Sequence, residues 1–159
     1  MPLTRVIAIV GPTASGKTSL SIRLARRFSG EIISADSRQI YRSLDIGTEK
    51  ITPEEMDGVP HHLLDVADVT EVFSAADFKR LGGAAIAEIV AREHVPFIVG
   101  GTGFYIRALL DGLVIPHVPP NEDLRAQLTG KSTEELYTAL LQKDPARAKT
   151  IEVHNPQWF

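Results

Sequence analysis

The chain has 159 residues, a net charge of −3 at pH 7, 43% hydrophobic residues and no cysteine. This length allows one domain with a hydrophobic core and a small appendage, and the lack of cysteine excludes disulfides and thiolate metal sites. No apolar run approaches the roughly 18 residues of a membrane span, and no charged and apolar leader precedes the first predicted strand, so we expect a cytoplasmic protein with no membrane partner. The negative charge argues mildly against nucleic-acid binding, although a local basic patch can coexist with it.

The N-terminal part predicts a strand, a loop, a helix and a second strand in succession. Residues 5–10 form a continuous Val- and Ile-rich run, which is typical of a buried parallel strand. A glycine-rich loop leads into a helix predicted from about Lys17 to Phe28, and Gly30 is expected to end it as the C′ residue. Residues 31–34 predict the second strand. The helix is expected to turn one apolar face inward, made of Leu20, Leu24, Ala25 and Phe28.

The middle of the chain continues this alternation. After an irregular stretch rich in Gly and Pro, a short strand is predicted over residues 62–66. A capping-box pattern at 74–77 opens a long helix, which Gly82 and Gly83 should weaken. Residues 96–99 predict a further buried strand, and a glycine-rich turn leads from it into another helix. Alternating strands and helices indicate an α/β fold in which helices flank a parallel sheet.

The composition changes at the Pro-rich segment 116–120. Beyond it, amphipathic helices are predicted over 122–128 and 133–143, the second preceded by another capping box. We therefore predict two domains, a catalytic core of residues 1–115 and a helical appendage of residues 116–159. Three or four strands make a small sheet for a chain with a glycine-rich loop between its first strand and helix, so we also predict that the sheet is incomplete.

The segment GPTASGKT matches the phosphate-loop pattern Gly11-x4-Gly16-Lys17-Thr18 between a predicted strand and a predicted helix. The glycines let backbone N–H groups converge on an anion, and the helix N-terminus adds its positive end. Lys17 supplies a charge for the outermost phosphate, and the Thr18 hydroxyl is a ligand for Mg²⁺. A chance match in a surface loop is disfavoured by the flanking strand and helix.

The position of the acidic residues leaves two functions open. An ATPase or GTPase also needs a carboxylate at the end of a later strand, but the strand at 96–99 ends in GGTG. Asp36 instead follows the second strand, where it would act on an acceptor beside the phosphates. The residues are therefore compatible with a small-molecule or nucleoside kinase that uses ATP, or with an enzyme that holds a different phosphate ester.

Four sequence blocks resemble the tRNA dimethylallyltransferases, also called tRNA isopentenyltransferases. They are GPTASGKT, ISADSRQIYRSLDIGTEK, VPHHLLDV and VGGTGFYIRALLDGL, in the order and spacing of that family, and weaker similarity extends to about residue 156. The resemblance implies a P-loop NTPase-like fold. It also implies transfer of a dimethylallyl group from dimethylallyl diphosphate to N6 of the adenosine adjacent to the anticodon, with diphosphate as the leaving group and the tRNA anticodon stem-loop as partner.

The resemblance also implies roles for individual residues. Lys17, the backbone amides of the loop and Mg²⁺ held by Thr18 would stabilise the departing diphosphate, and Asp36 matches the base that accepts a proton from the adenine amine. Thr102 matches a residue near the reacting groups, which makes Asp36, Thr102 and Lys17 the expected catalytic residues. The expected diphosphate-binding residues are Gly11, Pro12, Thr13, Ala14, Ser15, Gly16, Lys17 and Thr18. The expected tRNA-binding residues are Asp36, Ser37, Arg38, Gln39, Thr102 and Arg125.

Several of these residues have simpler alternatives. Asp36 can also cap the turn that follows it, and Arg38 is more typical of a solvated surface side chain. His61 and His62 could suggest a metal, but adjacent residues on a strand point to opposite faces, so we expect a structural role. The basic side chains of the appendage could form a tRNA-binding face or serve only solubility.

The chain departs from the family at its C-terminus. Family members continue for roughly as much again, whereas this chain ends at Phe159, so we expect a C-terminally truncated form. Truncation should expose apolar surface. It should also remove part of the basic platform for tRNA, and residues 116–159 are then the remaining part of that tRNA-binding appendage. It calls the activity of the short form into question and leaves a non-catalytic phosphate-binding fragment as a further alternative. We expect a monomer.

Overall fold

The structure, a computed structural model, describes residues 5–113, 115 and 121–151. The chain divides into two compact units, Met1–Ile115 and Pro116–Phe159. The elements of the first unit are β1 (Ile7–Val10), α1 (Lys17–Arg27), β2 (Gly30–Ser34), a 3₁₀ turn (Ile46–Thr48), β3 (His61–His62), α2 (Ala75–Ala91), β4 (Val95–Gly100) and α3 (Gly103–Leu110).

A parallel sheet of four strands, in the order β1-β4-β2-β3, forms the centre of the first unit. In the register of β4, Ile98 pairs with Ala8 on one side and with Ile33 on the other. The prediction of an α/β fold with a parallel sheet is therefore confirmed. Because the strands are parallel, the loops that follow β1, β2 and β4 meet at one edge of the sheet, where ligands of such folds bind.

β1 differs from its prediction in position and in burial. It is a four-residue strand at the edge of the sheet, and within the described residues only β4 pairs with it. Ile7 is 37% exposed and Val10 is 61% exposed. The expectation of a buried strand is wrong, since a parallel strand is buried only where other elements cover both of its faces.

The end of α1 also differs from its prediction. The helix ends at Arg27, and Ser29 takes the left-handed conformation after it, with φ of 49°. Gly30 begins β2, and a Cβ atom there would lie 2.3 Å from a ring carbon of Phe97. This glycine is thus required by packing against β4 and not by a helix cap. The predicted apolar face is only partly correct, because Leu20 is 46% exposed and Phe28 is 52% exposed.

Hydrophobic cores cover both faces of the sheet. On the α2 and α3 face, Tyr105 stacks on the buried Phe78 with ring centroids 4.5 Å apart, and on the other face Phe97 is completely buried near α1. α2 runs through both of its glycines without a break. A Cβ atom at Gly82 would lie 2.9 Å from a methyl carbon of Leu109, so this glycine allows α3 to approach α2.

The second unit contains three helices in the residues that the structure describes: α4 (Glu122–Thr129), α5 (Thr133–Lys143) and α6 (Pro145–Ala148). The first two match the predicted helices. The predicted capping box before α5 is present, since the Ser132 hydroxyl accepts from Glu135 N and the Glu135 carboxylate accepts from Ser132 N. No helix in the described ranges is long and apolar enough to cross a membrane.

Candidate active site at the phosphate loop

The predicted phosphate loop connects β1 to the first turn of α1. Gly16 is the residue before the helix and has φ of 81°, a left-handed conformation that favours glycine. Lys17 is the first residue of α1, and its Nζ donates a hydrogen bond to the Pro12 carbonyl at 2.6 Å. The ammonium group is therefore held across the loop, and the backbone N–H groups of the first helical turn lie beside it.

A pocket of about 110 Å³ opens at this edge of the sheet. It is lined on three sides by the phosphate loop with α1, by the ends of β2 and β4, and by the loops on either side of β3. The lining residues are Thr13, Ala14, Lys17, Thr18, Ser21, Ile32, Ser34, Asp36, Gln39, Thr48, Glu49, Ile51, His61, Leu64, Val99, Gly100 and Gly101. Four of the eight predicted diphosphate-binding residues, Thr13, Ala14, Lys17 and Thr18, therefore share this pocket with Asp36, whereas Gly11, Pro12, Ser15 and Gly16 are outside its lining. The pocket also has an apolar part.

Asp36 follows β2 and faces this pocket. Its Oδ1 accepts hydrogen bonds from the backbone N of Arg38 at 2.8 Å and of Gln39 at 3.3 Å. Among the described residues its Oδ2 has no hydrogen-bond partner. The turn-capping role therefore uses only Oδ1, and the role of Asp36 as a base stays a prediction.

Thr102 joins the loops that follow β2 and β4. Its Oγ1 accepts a hydrogen bond from Ser37 N at 3.0 Å, and its backbone N donates to the Ala35 carbonyl at 3.1 Å. A Cβ atom at Gly100 would lie 2.3 Å from the same carbonyl oxygen. The close approach of the two strand ends, which needs a glycine at position 100, brings Thr102 beside the turn that carries Asp36.

Gln39 connects β2 to the wall of the pocket. Its Oε1 accepts from the Ser34 hydroxyl at 3.1 Å, and its Nε2 donates to the carbonyls of Thr48 at 3.1 Å and Glu49 at 3.3 Å. The side-chain amide is therefore engaged with the protein itself. The predicted contact of Gln39 with the target adenosine stays a prediction.

Lys50 comes directly after the lining residues Thr48 and Glu49. Nothing in the local sequence pattern indicated a role for it. Its side chain is 5% exposed, and its ammonium group donates to Tyr41 O at 2.8 Å, Asp45 Oδ1 at 2.7 Å and Asp65 Oδ1 at 2.6 Å. Burial alone would lower the pKa of Lys50, but the two carboxylates outweigh it and raise the pKa above its ordinary value.

The two histidines of β3 lie on opposite faces of the sheet. His61 lines the pocket, where its Nδ1 lies 2.8 Å from the Val59 carbonyl and burial lowers its pKa. His62 lies on the other face, with Nε2 2.6 Å from the Glu31 carboxylate. The expected divergence of the two side chains is confirmed. The pairing of His61 with Ile32 in the register of β2 is the signal that assigns it to the pocket face, and sequence reasoning missed it.

Glu31 forms a charged cluster away from the pocket. Its side chain is 2% exposed and accepts two hydrogen bonds from Arg92, at 2.9 and 2.8 Å, and one each from His62 and His94. The guanidinium hydrogen bonds are the main reason that the pKa of Glu31 falls to about 2. Within the described parts of the chain, no group of three or more His, Cys, Asp and Glu side chains could hold a metal ion.

The remaining predicted tRNA-binding residues lie outside this pocket's lining. Arg38 is exposed in the turn after Asp36, and Ser37 contacts Thr102 through its backbone. Arg125 lies on α4 in the second unit.

Comparisons with known proteins give consistent likenesses. The family model described as IPP transferase matches residues 39–158. The tRNA dimethylallyltransferase of Roseiflexus sp. (strain RS-1) is 54% identical over 154 residues, which cover 94% of this chain and 50% of that relative. The crystal structure of the full-length tRNA isopentenylpyrophosphate transferase from Bacillus halodurans superposes with a TM-score of 0.71 at 46% identity. The matched region covers 98% of this chain and 52% of that chain.

A third likeness, to the crystal structure of a eukaryotic dimethylallyltransferase acting on tRNA, has a TM-score of 0.82 at 32% identity, over 96% of this chain and 39% of the other. The structural likenesses confirm the predicted P-loop NTPase-like fold. This chain spans about half the length of the curated relatives that it matches.

Proposed function

Because the chain belongs to the IPP transferase family, we propose that it transfers a dimethylallyl group from dimethylallyl diphosphate to N6 of the adenosine next to the anticodon in tRNA. One observation carries the proposal: Lys17, Thr18 and Asp36 line the same pocket. The reaction needs a site for a departing diphosphate and a base for the acceptor amine side by side, and this pocket offers both. Since the chain spans about half the length of its relatives, we propose their complete activity for it.

The phosphate loop would hold the diphosphate. Lys17 and Thr18, the first two residues of α1, line the pocket, so the helix N-terminus with its unpaired backbone N–H groups would favour an anion there. A diphosphate competes with the Pro12 carbonyl for the Lys17 ammonium, which already lies at the loop. When the bond between the prenyl carbon and the diphosphate oxygen breaks, the growing negative charge is stabilised by these groups.

Asp36 would accept the proton of the acceptor. As N6 of the adenine forms its bond to the prenyl carbon, one of its protons moves to Oδ2, the carboxylate oxygen that the turn does not use. The adenosine must leave its stack to reach the pocket. Thr102, Ser37 and Gln39 would position it, since they form the junction around Asp36.

The donor set at the pocket fits Mg²⁺. The Thr18 hydroxyl, which lines the pocket, is an oxygen ligand of the kind that this cation prefers, and diphosphate oxygens would complete its shell. Mg²⁺ bound there would neutralise charge on the leaving group. We keep Thr18 as the residue that would hold it.

The proposed partner is the anticodon stem-loop of a tRNA. Arg38 beside the pocket and Arg125 in the second unit are the proposed phosphate contacts, and the second unit is the proposed tRNA-binding part. We propose a monomer that acts in the cytoplasm, where tRNA is available. The kinase alternative is not favoured, because the relatives found are named tRNA dimethylallyltransferases.

Binding and transfer test the proposal separately. We expect dimethylallyl diphosphate and inorganic diphosphate to bind the 159-residue chain in calorimetry, and Lys17→Ala to weaken both by roughly tenfold or more, through loss of one charge-assisted contact. Asp36→Ala should bind the donor normally but lose single-turnover transfer to an anticodon stem-loop. Glu54→Ala, at an exposed side chain without described contacts, is the control for both.

Two results would contradict the proposal. If neither diphosphate binds the folded chain, the phosphate loop does not hold this donor. If donor binding is normal but Asp36→Ala transfers the prenyl group at the wild-type rate, Asp36 is not the base. Binding without any transfer by the wild-type chain would support the phosphate-binding-fragment alternative over an active enzyme.

A further inference from the structure

One wall of the pocket is an irregular loop that contains non-glycine residues with positive φ. Residues 41–50 contain one 3₁₀ turn, and Ser43 and Glu49 have φ of 64° and 49° without being glycine. Asp65 in the facing loop has φ of 55°. Such conformations persist only where surrounding contacts stabilise them. The wall therefore depends on whatever fixes these two loops together.

Lys50 provides that connection. All three N–H donors of its ammonium have an acceptor: the Tyr41 carbonyl at one end of the loop, Asp45 in its middle, and Asp65 in the facing loop. Its side chain is buried, whereas those of Asp45 and Asp65 are 65% and 50% exposed. The charge is thus stabilised internally while the two acids remain hydrated, which avoids the cost of burying all three groups.

Lys50 acts on the part of the wall that a donor would touch. Ile51, the next residue, lies in the apolar part of the pocket together with Ile32, Leu64 and Val99. The residues on its other side, Thr48 and Glu49, also line the pocket. A shift of Lys50 would therefore move three lining residues, none of which belongs to the phosphate loop.

We propose that Lys50 is a positioning residue that sets the size of the apolar part of the pocket and so limits the donor to a short prenyl chain. The inference rests on the proposed function, because it takes the apolar part to hold the prenyl group next to a diphosphate in the phosphate loop. Lys50 makes no contact with the donor in this role. It acts through the backbone of residues 48–51.

The test compares three ligands on matched lysine variants. Calorimetry measures the affinities of inorganic diphosphate, dimethylallyl diphosphate and geranyl diphosphate for the wild-type chain, Lys50→Met and Lys79→Met. Methionine keeps most of the apolar stem and removes the charge. Lys79 is the control because its Nζ also anchors a loop, through the Leu113 carbonyl at 2.8 Å, but does not line the pocket.

We expect the wild-type chain to prefer dimethylallyl over geranyl diphosphate by about tenfold or more, since excess methylenes in a fixed apolar pocket are discriminated at that level. Lys50→Met should reduce this preference at least about fivefold and leave the affinity for inorganic diphosphate within about twofold. Lys79→Met should change neither. Asp65→Asn, which keeps the shape of the loop, should change the preference in the same direction but less.

The inference is overturned if Lys50→Met keeps the wild-type preference, or if it weakens all three ligands in parallel, as general loosening of the fold would. If Lys50→Met does not fold, an unchanged preference in Asp65→Asn overturns it equally. Failure of the proposed function looks different, because the wild-type chain itself would then bind neither prenyl diphosphate more tightly than inorganic diphosphate.

Discussion

Glu31 offers the sharpest test of how charge stabilises this fold. Its carboxylate is almost completely buried and is shared by Arg92, His62 and His94. Replacing it by glutamine keeps the size of the side chain and removes its charge. We expect Glu31→Gln to lower the free energy of unfolding at neutral pH and to flatten its dependence on acid.

The magnitude follows from the pKa of Glu31, which is lowered from 4.5 to about 2. Since one pKa unit corresponds to about 1.4 kcal/mol, the ionised carboxylate contributes about 3 kcal/mol. Screening at Arg92, whose side chain is 45% exposed, makes this an upper value. Because the folded-state pKa is the lower one, the contribution is present above pH 5 and is lost as the pH falls toward 2. Roughly two thirds of it, or about 2 kcal/mol, should be gone at pH 3.

Urea unfolding followed by circular dichroism from pH 7 to pH 3 measures this effect. The difference in unfolding free energy between the wild type and Glu31→Gln should shrink by about 2 kcal/mol over that range. Glu54→Gln is the matched control and should run parallel to the wild type, because Glu54 is exposed. A difference that stays constant from pH 7 to pH 3 would refute the assignment of this stability to the ionised Glu31.

Two pairs of glycines give further predictions. Gly83→Ala should raise the free energy of unfolding by about 0.5–1 kcal/mol, because a Cβ atom there meets nothing within 4 Å and alanine favours the helix. Gly82→Ala should give a lower free energy of unfolding than Gly83→Ala, because its Cβ atom would press on a Leu109 methyl group that must move; equal effects of the two in urea unfolding would contradict this packing. Gly100→Ala should destabilise by about 2 kcal/mol or more, because its Cβ atom would overlap backbone of the neighbouring strand end. Gly103→Ala, in open space, should be close to neutral, and thermal unfolding of both variants checks the contrast.

The sequence predicted the features that local patterns determine. Capping boxes depend on residues three positions apart, and those before α2 and α5 are where they were expected. The phosphate loop was likewise placed correctly between its strand and helix, since glycine spacing and the Val- and Ile-rich run are local signals.

Features that depend on the order of strands were not predictable in this way. Burial of β1 was wrong because an apolar run does not reveal whether a strand has one neighbour or two. Gly30 was misassigned because its clash partner, Phe97, is distant in sequence. The roles of Glu31, His61 and Lys50 share this cause: each depends on partners brought together by the parallel register or by facing loops.

The edge of β1 that pairs with no strand of the described residues has a consequence for the solubility of the protein. Residues 7–10 carry no charge and no proline, the usual features that keep an edge strand from pairing with other chains. The opposite edge, β3, is only two residues long and offers far less backbone to pair with. Aggregation should therefore increase steeply with protein concentration, because the β1 edges of different molecules can pair. A single lysine in place of Ile7, which is partly exposed, is the simplest change to improve solubility for structural work.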